Sequence, residues 1–236
     1  MPPRVHTVPA ECFARAALDE LIAMAARYAR PVVGLPTGKT PVGLYDELAR
    51  LAARGQADVR TWRPFAIDEY VGMRNHPCSN RSFFSRHWNP IPGAATVEQF
   101  DPEAADLEAE AGAFAGRLAE AGGLDIALLG IGLSGHLAFN EPGSARDSPA
   151  RVVTLHSKSR ASAAACWGDD TPTRALTLGL AELLAAPSVL LLANGAEKSG
   201  VVARALRGPI SEDCPAAFLQ QHPNVAVILD EAAATA

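Results

Sequence analysis

Residues Leu124–Pro142 read LDIALLGIGLSGHLAFNEP, an unbroken apolar run that passes into glycines spaced GxGxxG. The apolar run has the length and composition of a strand buried on both faces, and the glycines mark the turn that follows it. Such a turn is also the fingerprint of dinucleotide binding, which requires a helix after the glycines and an acidic residue about 20 positions further on. Neither requirement is met here. Pro142 interrupts soon after Gly135, and the region where the acid should fall reads SPARVV, with Arg151 in it and Asp147 a little early. Glycines that merely ease a tight turn would explain the spacing. They would not explain why His136, Asn140 and Glu141 crowd the same turn. Glu141, placed before a proline, is steered away from helical geometry and can present its carboxylate back toward His136.

Outward from this stretch the pattern alternates. Leu18, Leu21, Ile22 and Ala25 recur at helical spacing before the short apolar run PVVGL, and Leu44, Leu48 and Leu51 mark a helix that Gly55 is placed to stop. PFAI reads as a strand, SNRSFFSRHW as a helix and DPEAADLEAEAGAFAGRLAEAG as a long helix. The strand SVLLLANG, a helix over about Glu197–Leu206, a short helix near PAAFLQQH and a closing strand NVAVILD complete the series. Unbroken apolar strands between amphipathic helices predict an α/β fold, a mostly parallel doubly wound sheet with helices on both faces. With no repeat or linker to cut at, residues 1–236 are expected to form one domain. The roughly 30 residues before the first strand are expected to form a single helix.

Composition narrows the function classes. Hydrophobic residues make up 48% and charged residues 20%, which excludes a disordered chain. A net charge of -5 with scattered Lys and Arg offers no field for nucleic acid. No apolar run reaches the ~18 residues of a membrane span, and the N-terminal residues lack the apolar core of a signal peptide, so the cytoplasm is the expected location. Cys12, Cys78, Cys166 and Cys214 lie far apart, without zinc-like spacing, and are expected to be free and mostly buried thiols; no metal site is expected.

In a doubly wound sheet, ligands bind beyond the carboxyl ends of the strands. The turn GLPTGKTP falls there. It is one residue short of the nucleotide phosphate loop, yet Gly38 permits close backbone approach, Thr40 can cap and Pro41 belongs at the first position of a helix, a combination that fits a phosphate monoester. At FAIDEYVGM a strand ends directly on Asp68 and Glu69, for which a solvated strand end is the plain alternative. Lys198, in LLLANGAEKSG, opens a helix where a cation is unfavourable unless an anion compensates.

Together GLPTGKTPVGLY, FAIDEYVG, GIGLSGHLAFNEPG, ALTLGL, GAEKS and LQQHPNVAVILDEAA resemble, in order along nearly the whole chain, the glucosamine-6-phosphate deaminase family. That family shares its fold with the 6-phosphogluconolactonases, and the FNEP element favours the deaminase side. The turn GIGLSGHL and the tail CPAAFLQQHPNVAVILDEAA are similar to the galactosamine-6-phosphate branch. The resemblance implies ring opening of a phosphorylated amino sugar, isomerisation toward the ketose and loss of ammonia, with no cofactor. It implies that Asp68 moves the proton between C2 and C1, that His136 opens the ring and that Glu141 orients His136. Thr37, Gly38, Lys39 and Thr40 would form the phosphate cradle, with Lys198 completing it.

The chain departs from the family pattern in two places. Ser134 stands where members commonly carry aspartate or asparagine, so the pH optimum or rate is expected to differ. A phosphate-gripping arginine is missing where this chain reads SKSRASAAACWGDD; either Lys158 or Arg160 substitutes for it, or the ligand sits differently. Allosteric members carry extra C-terminal sequence, so no activation by an N-acetylated amino-sugar phosphate is expected. A 6-phosphogluconolactonase, or a non-catalytic sugar-phosphate binder, is the alternative. A DNA-linked sensor is disfavoured because only one helix is expected before the first strand. Formation of a homo-oligomer is left open, and Trp62, Trp88 and Trp167 have no assigned role beyond packing.

Overall fold

The strands β5 (Ile126–Gly130) and β8 (Ser188–Ala193) carry no polar alternation because both of their faces are covered. Side chains alternate across a strand, so Leu128, Leu190 and Leu192 enter one core cluster while Ala127, Leu129, Val189 and Leu191 enter the opposite one. Helices α1 (Phe13–Ala25), α2 (Val42–Ala53) and α3 (Asn80–His87) close the first cluster with Leu18, Leu21, Leu44, Tyr45, Leu48 and Phe84. Helices α4 (Leu107–Glu120), α6 (Leu180–Ala185) and α7 (Ser199–Arg207) close the second with Phe114, Leu118, Leu180, Leu183, Val201 and Val202. The computed structural model describes residues 2–235.

With β1 (Arg4–Val8), β2 (Val32–Leu35), β3 (Arg63–Ala66) and β9 (Val225–Asp230), these strands form a six-stranded sheet in the order β1-β9-β8-β5-β2-β3. Every pairing in it is parallel. The expected α/β fold with helices on both faces is therefore present. A second, three-stranded antiparallel sheet holds β4 (Asp68–Tyr70), β6 (Arg151–Thr154) and β7 (Arg174–Thr177) in the order β4-β7-β6. The chain passes from β3 to β4 through Ile67, whose carbonyl accepts from Leu178 N at 2.8 Å. Helix α5 (Ser157–Trp167) follows β6.

Several expectations need correction. The residues before β2 do not form one helix, because β1 precedes α1 and pairs with β9 from Arg4↔Ala226 to Val8↔Asp230. Its residues are mostly exposed, and only the free edge of β9 makes them a strand. Thr40 does not cap α2 and Pro41 is not its first residue: the helix starts at Val42, with Pro41 at the cap position and no side-chain cap. The long helix starts only at Leu107, where the Asp106 carboxylate accepts from Ala109 N at 3.0 Å. The segment near PAAFLQQH is a 3-10 helix, Pro215–Gln221. Nor are all the cysteines free: Cys78 and Cys166 form a disulfide, with Cα atoms 6.1 Å apart, while Cys12 is exposed and Cys214 buried. Trp62 and Trp88 pack in the α1–α2 core, and Trp167 stacks on His76 at 4.0 Å between ring centroids. Among the described residues no helix is long and apolar enough to cross a membrane.

The disulfide closes a loop of 88 residues that contains α3, α4 and β5. Replacing Cys78 and Cys166 by serine should lower the free energy of unfolding in chemical denaturation by at most about 5 kcal/mol, the chain-entropy value for a loop of this size. An unchanged denaturation midpoint in the double variant would show that the bridge adds nothing to stability.

Candidate active site

The chain leaves β2 toward β3 on one side of the sheet, whereas β5 leads to β8 on the other. At that reversal the two carboxyl-end loops diverge and leave a crevice, the usual ligand position in such a sheet. Here it is a cavity of about 570 Å³. Its walls come from the loop after β2, from β4, from the glycine turn after β5, from α5 and from the turn after β8.

Thr37, Gly38, Lys39 and Thr40 all line it. Gly38 sits at φ +94°, a left-handed conformation that a side chain would strain, and the base of the loop is pinned by Tyr45 OH donating to Pro36 O at 2.8 Å. The Thr40 hydroxyl, expected to cap, instead donates to Asn194 Oδ1 at 2.9 Å. Thr37 donates to Asn80 Oδ1 at 2.9 Å. Across the cavity Lys198 Nζ donates to Ile131 O at 2.8 Å, which uses one of its three N–H bonds. Burial lowers its pKa, opposed by Glu197, so an anion in the cavity would stabilise its charged form.

The two carboxylates of β4 point opposite ways, as strand geometry requires. Glu69 turns to the start of α3, where it accepts from Asn80 N at 2.9 Å and Arg81 N at 2.8 Å, and its own burial pushes its pKa up against these bonds. Asp68 lines the cavity and is 9% exposed. Burial, then the neighbouring Glu69, raise its pKa to about 7, while the side-chain amide of Asn80 opposes the shift. A carboxylate held out of bulk water and titrating near neutrality is suited to abstracting a proton beside a carbonyl.

No helix follows the glycines after β5. The chain doubles back, with Gly132 N donating to His136 O at 3.1 Å and Gly135 N to Gly132 O at 2.9 Å. Gly132 makes room for the imidazole: a Cβ there would lie 2.0 Å from His136 Nε2. Gly135, at φ +91°, packs against Cys214 and Arg204. His136 Nδ1 is 3.1 Å from Glu141 Oε2 and 2.9 Å from Ser134 Oγ, and Ser134 in turn donates to Glu141 Oε2 at 3.2 Å. Burial pushes the Glu141 carboxyl up, but bonds from His136, Ser159 and Ser134 outweigh it and leave its pKa below the ordinary value. An ionised Glu141 assigns the ring proton to Nδ1 and leaves Nε2 as the basic nitrogen.

Asn140, which shares that turn, is scaffold. Its amide donates to Leu137 O and Leu178 O and its carbonyl accepts from Arg151 Nη1 at 2.9 Å. Arg160 is exposed and lies off the cavity lining, whereas Lys158, Ser159 and Ser162 of the same helix lie on it. The cation that α5 offers is therefore Lys158. Residues without a motif signal also converge here, above all Asn80 and Ser159; the only local hint for Asn80 was its place after the helix-capping Ser79.

A protein from Cutibacterium acnes named glucosamine-6-phosphate deaminase is 40% identical over 228 residues, covering 94% of this chain and 87% of that one. One of the same name from Rhodococcus opacus is 42% identical over 210 residues, 86% of this chain and 80% of that one. The solved structure of a monomeric glucosamine-6-phosphate deaminase superposes with a TM-score of 0.94 at 32% identity, covering 98% of this chain and 99% of that one. A 6-phosphogluconolactonase from Trypanosoma cruzi superposes with a TM-score of 0.78 over 99% and 97% of the two chains, at 22% identity, a likeness of fold alone. The family model of glucosamine-6-phosphate isomerases/6-phosphogluconolactonase matches residues 8–228, nearly the whole chain, and the chain belongs to that family.

Proposed function

We propose that this chain converts an amino-sugar 6-phosphate, in the first place glucosamine 6-phosphate, to a ketohexose 6-phosphate and ammonia. What supports this reading is that buried Asp68 and His136, held by Glu141, line one cavity with Thr37, Gly38, Lys39, Thr40 and Lys198. The gluco epimer is favoured by the names of the curated relatives. The similarity of the turn and tail to the galactosamine branch makes the other epimer the first alternative substrate. Thr37, Gly38, Lys39, Thr40 and Lys198 would hold the phosphate, with Lys158 on α5 in the place of the absent arginine.

His136 Nε2 would take the C1 hydroxyl proton as the ring oxygen leaves and is reprotonated, giving the open aldehyde. Asp68 would then remove the C2 proton and return it to C1 while a proton passes from the amine to O1, so that the C1=O double bond is exchanged for a C2=N imine. Addition of water at C2 expels ammonia and leaves the ketone. Ring opening, isomerisation and the closing hydrolysis each need protons moved near neutral pH, which these two groups can do, and no step changes the overall oxidation state. All the groups invoked come from one chain.

Ammonia release from glucosamine 6-phosphate and from galactosamine 6-phosphate, beside hydrolysis of 6-phosphogluconolactone, separates the readings. Ammonia release should be lost in Asp68→Asn, and kcat/KM in the parent should fall about tenfold per pH unit below an acid limb near the Asp68 pKa of about 7. Lactone hydrolysis without ammonia would move the chain to the lactonase side, and silence on all three would leave a binder.

The same pKa fixes a sign for stability. Asp68 titrates at 3.8 when unfolded and about 7 when folded, so its stabilising contribution is complete below 3.8 and is lost as the pH rises through 7. Asp68→Asn should therefore raise the melting temperature relative to the parent, by an amount that grows between those values and levels off above. An equal melting-temperature difference at acid and neutral pH would contradict the buried, half-ionised carboxyl. Gly132→Ala should leave the fold intact while displacing the imidazole, lowering kcat by about 10²-fold or more, the scale expected when a proton-transfer group is lost; activity within a factor of two would show that His136 can act from another position.

A further inference from the structure

Asn80 is 3% exposed, stands at the first residue of α3 and has no role in the chemistry above. Its side chain nevertheless joins the two halves of the site. The amide carbonyl accepts from Thr37 Oγ1 of the cradle at 2.9 Å, and the amide nitrogen donates to both the main-chain oxygen of Asp68, at 3.0 Å, and its carboxylate Oδ1. The orientation of the amide is not arbitrary. Asp68 O can only accept, so a flipped amide would set two oxygens against each other, while Thr37 has a hydrogen to give. The backbone is held as firmly, since Asn80 N donates to Glu69 Oε1 at 2.9 Å.

We propose that Asn80 is a positioning residue that couples the phosphate cradle to the base: Thr37 orients its amide, and the amide fixes the carboxylate of Asp68 and favours its ionised form. This rests on the reading of Asp68 as the base. The Thr37 hydroxyl has a single hydrogen, so a phosphate oxygen that takes it must draw it away from Asn80. Occupancy of the cradle is thereby felt two hydrogen bonds away at Asp68. The opposing influence of the Asn80 amide on the Asp68 pKa has the direction this requires.

Other titratable groups neighbour Asp68 or share its cavity. Glu69 and Tyr70 lie on its own strand, and Arg81 on α3 lies beyond Glu69. From the other walls come His136 on the glycine turn, Lys39 on the cradle, Lys158 on α5, and Glu197 and Lys198 before α7. None of these is altered by changing Asn80.

The test follows the Asp68 carboxyl by ¹³C NMR titration in the absence of substrate, assigned with Asp68→Asn, together with the pH profile of ammonia release. In Asn80→Ala the titration midpoint and the acid limb of kcat/KM should both rise by about one pH unit, the effect of one hydrogen bond to a charged group. The main loss should fall on kcat. Should Asn80→Ala fail to fold, Thr37→Val carries the test, with a smaller shift in the same direction. A folded variant in which neither midpoint nor limb moves, while Asp68→Asn abolishes turnover, would overturn the proposal and leave the base assignment standing. A shifted midpoint with Asp68→Asn still active would have the opposite meaning: the coupling holds and Asp68 is not the base.

Discussion

The site depends on one short piece of backbone pairing. β2 and β5 meet through only two registered pairs, Val33↔Ile126 and Gly34↔Ala127, before their chains turn away in opposite directions. Over this pairing the face of the sheet is tightly covered, which is why position 34 is a glycine. A Cβ there would sit 3.0 Å from Leu124 Cδ1 and 3.1 Å from Ile67 Cγ2, tighter than ordinary packing. On one side of the resulting gap lies the Thr37–Thr40 loop after β2, and on the other the glycine turn after β5. Both loops are anchored at their bases by buried apolar strands, so the opening between them is set by the sheet.

Within that frame the second sheet solves an electrostatic problem. Two adjacent carboxylates open β4, and both are buried. Charged groups withdrawn from water are costly unless they are hydrogen-bonded or neutralised. Glu69 is met by the backbone N–H groups at the start of α3, where a helix presents unsatisfied donors and a positive dipole end. Asp68 receives the side-chain amide of Asn80 instead, and remains poised between its protonated and ionised forms. The antiparallel pairing Asp68↔Thr177 and Glu69↔Leu176 keeps the two from exchanging places, because a one-residue slip would turn each side chain to the opposite face.

The glycine turn illustrates how one spacing serves different ends. In a dinucleotide fold the same glycines bring a helix N-terminus to a pyrophosphate. Here Gly132 gives its side-chain space to an imidazole, and Gly135 adopts a conformation that packs the turn against Cys214 and Arg204. Ser134 occupies the place beside His136 Nδ1 and bridges it to Glu141. The neutral hydroxyl thus acts through hydrogen bonding, and the negative charge beside the ring comes from Glu141 alone.

Much of this was legible in the sequence, because local pattern reports burial. Continuous apolar runs revealed the strands covered on both faces, helical spacing revealed α1, α2 and α4, and punctuation by Gly and Pro located the loops at the strand ends. The order of Thr37–Thr40, Asp68, His136, Glu141 and Lys198 along the chain carried the family resemblance. The sequence was silent where structure arises from partners distant along the chain. β1 is a strand only because β9 offers it an edge, and β6 and β7 only because each borrows hydrogen bonds from a segment 20 or more residues away. The Cys78–Cys166 bridge spans 88 residues, and no spacing rule reaches so far. Lys158 rather than Arg160 faces the cavity because two positions along α5 are turned by about 200°. Asn80 became part of the site only when the fold brought Thr37 and Asp68 to its two ends. The chain by itself determined which segments are buried and which residue types end the strands; the tertiary structure decided which of those residues meet, since hydrogen bonds form between neighbours in space.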